Sequence, residues 1–294
     1  MSARAIFYAP SGTLRAPWRI GGFLLVLLAA RYAVFGVARG LPTPGGFVPN
    51  MTEAWLLLLA AALLATFIML RRVDGRGWST IGLGPAQAAP SLLTLGLVAG
   101  ALGILIPSGA LLAAHWLQVA PPARPDGSSL GFGIGTAMLF LPQSLSEELL
   151  SRGYAFSAVR EAIGPVWAIV ISSLVFGGLH LNNPGANARS FTIVVLAGVW
   201  LGAIVVLTRS VYAAWMAHFA WNAGIVSVLH APVSGITFPA PDYAIVSHGP
   251  EWATGGAWGP EGSVFAALAM LASIYAVYKW TRARGIASPE LAHG

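Results

Sequence analysis

Cysteine is absent from the sequence of 294 residues, which excludes disulfide bonds, a thiol nucleophile and any cysteine-ligated metal site. Charged residues are also scarce, because they make up 9% of the chain whereas a typical soluble domain has about 25%. Lysine occurs only once, so the net charge of +6 comes almost entirely from arginine. These shortages exclude a soluble globular domain, a disordered chain and an ordinary nucleic-acid-binding protein.

Long apolar runs take the place of the missing charge. Hydrophobic residues form 56% of the chain, and a helix needs about 20 such residues to cross a bilayer. The sequence therefore predicts an all-α fold, a polytopic membrane helix bundle with about eight transmembrane helices. The predicted spans are 18–38, 53–70, 91–117, 131–162, 164–181, 191–208, 211–230 and 262–281. The fourth run is longer than one crossing and becomes polar after Leu150, so it either leaves the membrane or continues as an amphipathic helix.

The few cations indicate how the chain is oriented in the membrane. With both termini in the cytoplasm, twelve cations lie on that side, namely Arg4, Arg15, Arg19, Arg71, Arg72, Arg76, Arg152, Arg160, Arg209, Lys279, Arg282 and Arg284. Three lie on the opposite side, namely Arg39, Arg124 and Arg189. The positive-inside rule therefore predicts cytoplasmic termini. The excess of Arg over Lys and the high Ala and Gly content favour a bacterial inner-membrane protein.

Two further segments lie outside this simple pattern. Arg31 interrupts the first apolar run, which is long, so we expect the first helix to be retained rather than cleaved as a signal peptide. The predicted outer loop 231–261 is rich in Pro, Gly and aromatic residues, and it is too long for a simple connector. It is either a cap on the helix bundle or an ordinary surface loop.

One pair of acidic residues follows an apolar run. Glu147 and Glu148 are adjacent, so on a helix their side chains point about 100° apart. Glu148 and Arg152 are four residues apart and can pair along one helix face. Glu147 has no such partner, and a buried carboxylate needs a hydrogen bond, a metal or a proton. Glu147 is therefore a candidate general base.

Two histidines also lie within apolar helices. His180 follows Phe176 by one helical turn, and His218 precedes Asn222 by one turn. Two polar side chains on one face of an apolar helix point into a bundle, either for function or to join helices by hydrogen bonds. If the fourth and fifth spans form a hairpin near Gly164, His180 lies at the same height as Glu147. His218 lies nearer the cytoplasmic side in such a simple bundle.

These residues resemble three ordered motifs of the CPBP family of intramembrane proteases. The family includes the CAAX prenyl endopeptidases and the bacteriocin-processing and immunity proteins. The matching patterns are Glu147-Glu148-x-x-x-Arg152, Phe176-x-x-x-His180 and His218-x-x-x-Asn222, within residues 130–225. Each motif alone is weak, but three in the same order are specific.

The resemblance implies hydrolysis of a peptide bond within or beside the membrane. By position, Glu147 and His180 activate the attacking water, His218 and Asn222 stabilise the oxyanion, and Glu148 and Arg152 support the site. It also implies three regions, which are N-terminal transmembrane helices in 1–125, a catalytic helical core in 126–230, and an outer loop with the last transmembrane helix in 231–294. The partners are the lipid bilayer and a peptide or protein substrate that could be lipidated, without nucleic acid.

Other mechanisms and functions fit the same residues. Glu147, His180 and His218 are also a plausible zinc set with Glu148 as base, although the resemblance favours a metal-independent glutamate mechanism. A non-catalytic scaffold or immunity protein would keep the same fold. A proton-coupled transporter would also use intramembrane Glu and His, but no internal repeat is present to favour one.

Overall fold

The computed structural model describes residues 3–10, 12–40, 50–122 and 127–286, so Arg124, used above for orientation, lies outside the described part. The helices are α1 (Ala3–Phe7), α2 (Ala16–Arg39), α3 (Met51–Ile68), α4 (Pro90–Ala113), α5 (Ser129–Arg152), α6 (Tyr154–Ile163), α7 (Pro165–Leu179), α8 (Ala188–Thr208), α9 (Val211–Ala223), α10 (Glu251–Thr254) and α11 (Val264–Ala283). Single π-helical turns extend α3 to Val73 and α9 to Val228.

The predicted all-α membrane bundle is confirmed. In the described ranges, five helices are long and apolar enough to cross a bilayer, and they are α2, α3 with its π turn, α4, α8 and α11. The remaining predicted spans correspond to α5, which is more polar, and to α7 and α9, which are shorter. The number of eight crossings therefore stays a prediction.

The predicted fourth span is not one continuous helix. It divides at Gly153, where φ is −83° and ψ is −124°, into α5 and the short amphipathic α6. A Cβ atom at this position would overlap the carbonyl oxygen of Leu149, so only glycine fits the break. The turn expected near Gly164 is present between α6 and α7, and so is the amphipathic continuation after Leu150, but the break at Gly153 interrupts the helix between Glu147 and that turn.

Helix α9 lies at the centre of the bundle, against α4, α5 and α8. Gly96 and Gly100 of α4 face α9, and a Cβ atom on either would overlap the carbonyl oxygen of Ala213 or Ala217. Such small residues one turn apart let two helix backbones approach closely. The indole N–H of Trp215 also donates to the Leu141 carbonyl on α5, at 2.9 Å. These contacts bring α9 against the polar part of α5.

A buried ionic network joins α2, the turn after α3, and α6. The Arg19 guanidinium is 4% exposed and pairs with Asp74 at 2.7 Å and Glu161 at 2.6 Å. Arg76 pairs with the second oxygen of Glu161, also at 2.6 Å. Burial by itself would raise the pKa of the Glu161 carboxyl, but the hydrogen bonds and charges of Arg76 and Arg19 lower it below its usual value.

The predicted outer loop packs against the bundle. Its segment β2 (Ala244–Ser247) pairs antiparallel with β1 (Leu117–Ala120), a small sheet that the all-α prediction did not include. Trp258 and Glu261 of this loop are buried, and the backbone N–H of His248 donates to the Trp116 carbonyl. Residues 231–261, called the cap below, therefore cover the bundle, as the first of the two interpretations of this loop expected.

Candidate active site

The most deeply buried charges of the site are Glu148 and Arg152, whose side chains are both 0% exposed. As their spacing on α5 predicts, Arg152 donates from Nη1 to Glu148 Oε1 at 3.0 Å. Arg152 also donates from Nη2 to the Gly198 carbonyl of α8 at 3.0 Å. The same Oε1 of Glu148 lies 3.0 Å from Nδ1 of His218 on α9. This pair therefore joins three helices and orients the His218 ring.

Glu147 lies on the other side of the His218 imidazole. Its Oε1 accepts a hydrogen bond from the Gln143 side-chain amide, one turn earlier on α5. Its Oε2 lies 3.7 Å from His218 Nε2 and has no hydrogen-bond partner within the described residues. His218 thus lies between two carboxylates, and one oxygen of Glu147 remains free to accept a proton.

Gln143 connects Glu147 to Asn222 and was not predicted as a site residue. Its side-chain oxygen accepts a hydrogen bond from the Asn222 amide at 3.2 Å, while its NH₂ group donates to Glu147. The available signal was a lone amide in the apolar stretch before the acids, on the same helix face as Glu147. Gln143 lies outside the three motif patterns, which therefore do not indicate it.

His180 enters the site from the C-terminal end of α7. Its Nδ1 lies 2.8 Å from the Phe176 carbonyl oxygen, which can only accept, so this nitrogen carries a hydrogen and Nε2 is the free acceptor of the neutral ring. The Phe176 ring lies 4.7 Å from the His180 ring and 6.0 Å from the His218 ring, and the Arg152 guanidinium lies over its face at 4.6 Å. Phe176 thus separates and orients the two imidazoles.

Most of these side chains border one cavity of about 660 Å³, whereas the fully buried Glu148 and Arg152 do not line it. Its polar wall contains Gln143, Glu147, His180, His218 and Asn222, and the rest is mostly apolar surface from α2, α3, α5, α8 and the cap. Within the described residues, His180 makes no hydrogen bond to Glu147, so the two side chains share the cavity wall without a direct hydrogen bond. The cavity has the mainly apolar lining and few convergent polar groups of a ligand site.

The predicted zinc set does not have metal-binding geometry. Among residues of the described ranges, no three His, Asp or Glu side chains are grouped closely enough to hold a metal ion. His218 faces both carboxylates, whereas His180 is directed to the Phe176 carbonyl. The three side chains therefore do not fit a zinc ion as they are arranged.

The fold and the site together define a class of protein, an integral membrane helix bundle with buried carboxylate and imidazole groups on a cavity wall. Within it, residues 128–224 match the family described as Type II CAAX prenyl endopeptidase Rce1-like. This segment is about a third of the chain and contains all six predicted site residues. The match confirms the predicted resemblance and supports a membrane endopeptidase function in general terms. A comparison with curated proteins found no match.

Proposed function

We propose that this protein is an intramembrane endopeptidase that hydrolyses a peptide bond in a membrane-associated peptide or protein. The observation that carries the proposal is Glu147, which borders the cavity and whose Oε2, 3.7 Å from His218 Nε2, has no hydrogen-bond partner in the described residues. A carboxylate with an unused acceptor beside an imidazole is the arrangement that general-base catalysis requires. The similarity of residues 128–224 to membrane endopeptidases supports the same reaction.

In the proposed mechanism, Glu147 removes a proton from water while His180 Nε2 holds that water as a second acceptor. The hydroxide attacks the peptide carbonyl carbon, and the proton on Glu147 passes to the leaving amine. Gln143 keeps the Glu147 carboxylate oriented, because its amide donates to Oε1 and leaves Oε2 for the water. A general base of this kind contributes about 10²–10⁴-fold to the rate.

His218 and Asn222 stabilise the oxyanion in this mechanism. The Glu148 carboxylate accepts from Nδ1 of His218, so donation from Nε2 requires the doubly protonated ring, whose positive charge the two adjacent carboxylates stabilise. Asn222 supplies a second donor through its amide. Each preorganised donor to the oxyanion contributes about 3 kcal/mol to transition-state stabilisation.

The proposal is tested with purified protein in lipid vesicles, incubated with membrane-tethered peptide libraries whose products are identified by mass spectrometry. We expect Glu147→Gln and His180→Ala each to lower cleavage by at least about 10²-fold, with unchanged folding by circular dichroism. Glu251→Gln in the cap is the control, because Glu251 is exposed, pairs with Arg189 and does not line the cavity. Full activity of both site variants would refute the assignment, and absence of cleavage by the wild type would favour a scaffold.

The libraries contain each peptide with and without a C-terminal isoprenoid. The matching family is described as acting on CAAX prenyl substrates, and the mainly apolar cavity lining is compatible with a lipid chain. Comparative membrane proteomics of cells that express the wild type or Glu147→Gln identifies natural substrates, which accumulate uncleaved with the variant.

The metal-independent form of the mechanism has a separate test. We expect the purified protein to contain less than stoichiometric zinc and to keep its activity after treatment with a chelator, because Glu147, His180 and His218 do not converge on one point. The measurement is metal content by mass spectrometry together with cleavage before and after chelation. Stoichiometric zinc whose removal abolishes cleavage would contradict the glutamate mechanism.

A further inference from the structure

The cap contributes a carboxylate to the wall of the same cavity. Glu261 lies in the cap, outside the segment that matches the endopeptidase family, and borders the cavity together with Ser234. Its side chain is buried, with 8% of the residue exposed. A buried carboxylate in an apolar cavity is costly unless its contacts favour the ionised form, so these contacts decide what Glu261 can do.

Three neutral groups donate hydrogen bonds to Glu261. Oε1 accepts from the backbone N–H of Ser234 at 2.6 Å and from the Ser234 hydroxyl at 2.8 Å. Oε2 accepts from the indole N–H of Trp221 at 3.0 Å. These hydrogen bonds fix the positions of both carboxylate oxygens. They also anchor the cap to α9, next to Asn222.

The negative charge of Glu261 has no counter-ion in the described part of the chain. None of the salt bridges found there includes Glu261, and Arg31, which borders the same cavity, does not pair with it. A carboxylate has about four acceptor positions, and the three donors above occupy three of them. One acceptor position and the negative charge of this cavity-lining residue therefore have no partner within the described residues.

We propose that Glu261 is a specificity-determining residue. It selects substrates that carry a Lys or Arg side chain next to the scissile bond, in the part of the substrate that lies against the cap. The inference rests on the proposed endopeptidase function. A cation placed at Glu261 gains a charge-assisted hydrogen bond in surroundings of low dielectric constant. An acidic side chain at the same place is repelled, and a neutral side chain gains nothing from the charge.

The experiment uses the full-length protein in lipid vesicles and peptides that differ at one position. At each position flanking the cleaved bond in turn, one peptide carries Arg, one the neutral Gln and one the acidic Glu. The value of kcat/KM is measured for each peptide. We expect the wild type to prefer Arg over Gln by about tenfold at one position. Glu261→Gln should remove that preference while cleavage of the Gln peptide is retained, and Glu261→Asp should restore it.

Two further variants separate charge from anchoring. Trp221→Phe removes one hydrogen bond to Glu261 but keeps its charge, so the Arg preference should persist. Glu251→Gln removes a different carboxylate of the cap, one that is exposed and paired with Arg189. This variant should leave the preference for the Arg peptide unchanged. An equal loss on Arg and Gln peptides with Glu261→Gln would mean that Glu261 only anchors the cap, and would overturn the inference.

Failure of the inference differs from failure of the proposed function. Cleavage without any charge preference in the wild type contradicts the role of Glu261 and leaves the endopeptidase function intact. If no peptide is cleaved, the endopeptidase proposal fails, and binding of the Arg and Gln peptides to the vesicle-embedded wild type and Glu261→Gln still decides whether Glu261 selects a cationic side chain. Tighter binding of the Arg peptide only to the wild type supports it, and equal binding contradicts it.

Discussion

The His218 side chain illustrates how individual contacts determine the chemistry of this site. Its two ring nitrogens face different carboxylates, with Glu148 at 3.0 Å and Glu147 at 3.7 Å. Each carboxylate has one oxygen without a hydrogen-bond partner in the described residues, but Glu148 is held by Arg152 and does not line the cavity, whereas Glu147 borders it. Adjacent residues on α5 therefore have different surroundings, which supports a structural role for Glu148 and a chemical role for Glu147.

We predict that Arg152 stabilises the folded protein through its buried ion pair with Glu148. Arg152→Leu leaves Glu148 buried without its cation, so we expect a loss of about 3–5 kcal/mol in the free energy of unfolding. The double variant Glu148→Gln with Arg152→Leu removes both charges and should be less destabilised than Arg152→Leu alone. The measurement is unfolding in detergent, and equal stability of the two variants would contradict a charge-based role.

The close contact of α4 with α9 determines where His218 and Asn222 lie. Both residues are carried by α9, and this helix is held against α4 through Gly96 and Gly100. At the other side of the site, the break at Gly153 ends α5 directly after Arg152 and allows α6 to turn away. Three glycines outside the motif positions thus determine the relative placement of the two polar helices.

Gly100→Ala tests this packing. The added methyl group overlaps the Ala217 carbonyl oxygen, so α9 must move, and we expect lower thermal stability and at least about tenfold lower cleavage. Gly109→Ala is the matched control on the same helix, because its Cβ atom would meet nothing within 4 Å. In that variant, the higher helix propensity of Ala should leave stability unchanged or slightly increased. Equal behaviour of the two variants would rule out the packing explanation.

On the scale of the whole molecule, ionic and hydrogen-bonded contacts join segments that are distant in sequence. Arg19 near the start of the chain pairs with Asp74 and Glu161, and Glu261 near its end contacts Trp221 of α9. The contact of Arg19 with Glu161 joins the N-terminal part of the chain to the family-matched segment, and the contact of Glu261 with Trp221 joins the cap to the same segment. The division into the three predicted regions remains a prediction, as does the orientation of the termini.

Labelling of single cysteines tests the orientation directly, because the natural chain has no cysteine of its own. Thr237 in the cap and Ser79 between α3 and α4 are both exposed. In right-side-out membrane vesicles, we expect an impermeant maleimide to label Thr237→Cys at once. Ser79→Cys should react only after permeabilisation, since the positive-inside rule places its loop in the cytoplasm. The reverse labelling pattern would contradict cytoplasmic termini.

The amino-acid sequence by itself determined the class of protein and indicated most of the polar side chains of the candidate site. Scarce charge and long apolar runs require a membrane helix bundle, because a bilayer accepts few exposed polar groups. In such a bundle the polar side chains at Glu147, Glu148, His180, His218 and Asn222 are conspicuous. Helical spacing was also sufficient to predict the pairing of Glu148 with Arg152, since both partners lie on one helix.

Only the tertiary structure decided which helices bring these groups together. His218 was expected nearer the cytoplasmic side, yet the break at Gly153 and the close approach of α4 and α9 bring it between the two carboxylates. The contacts of Gln143 with Asn222 and of Glu261 with Trp221 could not be predicted, because the partners are 79 and 40 residues apart in the chain. Contacts over such separations depend on how whole helices pack, and local periodicity carries no information about them.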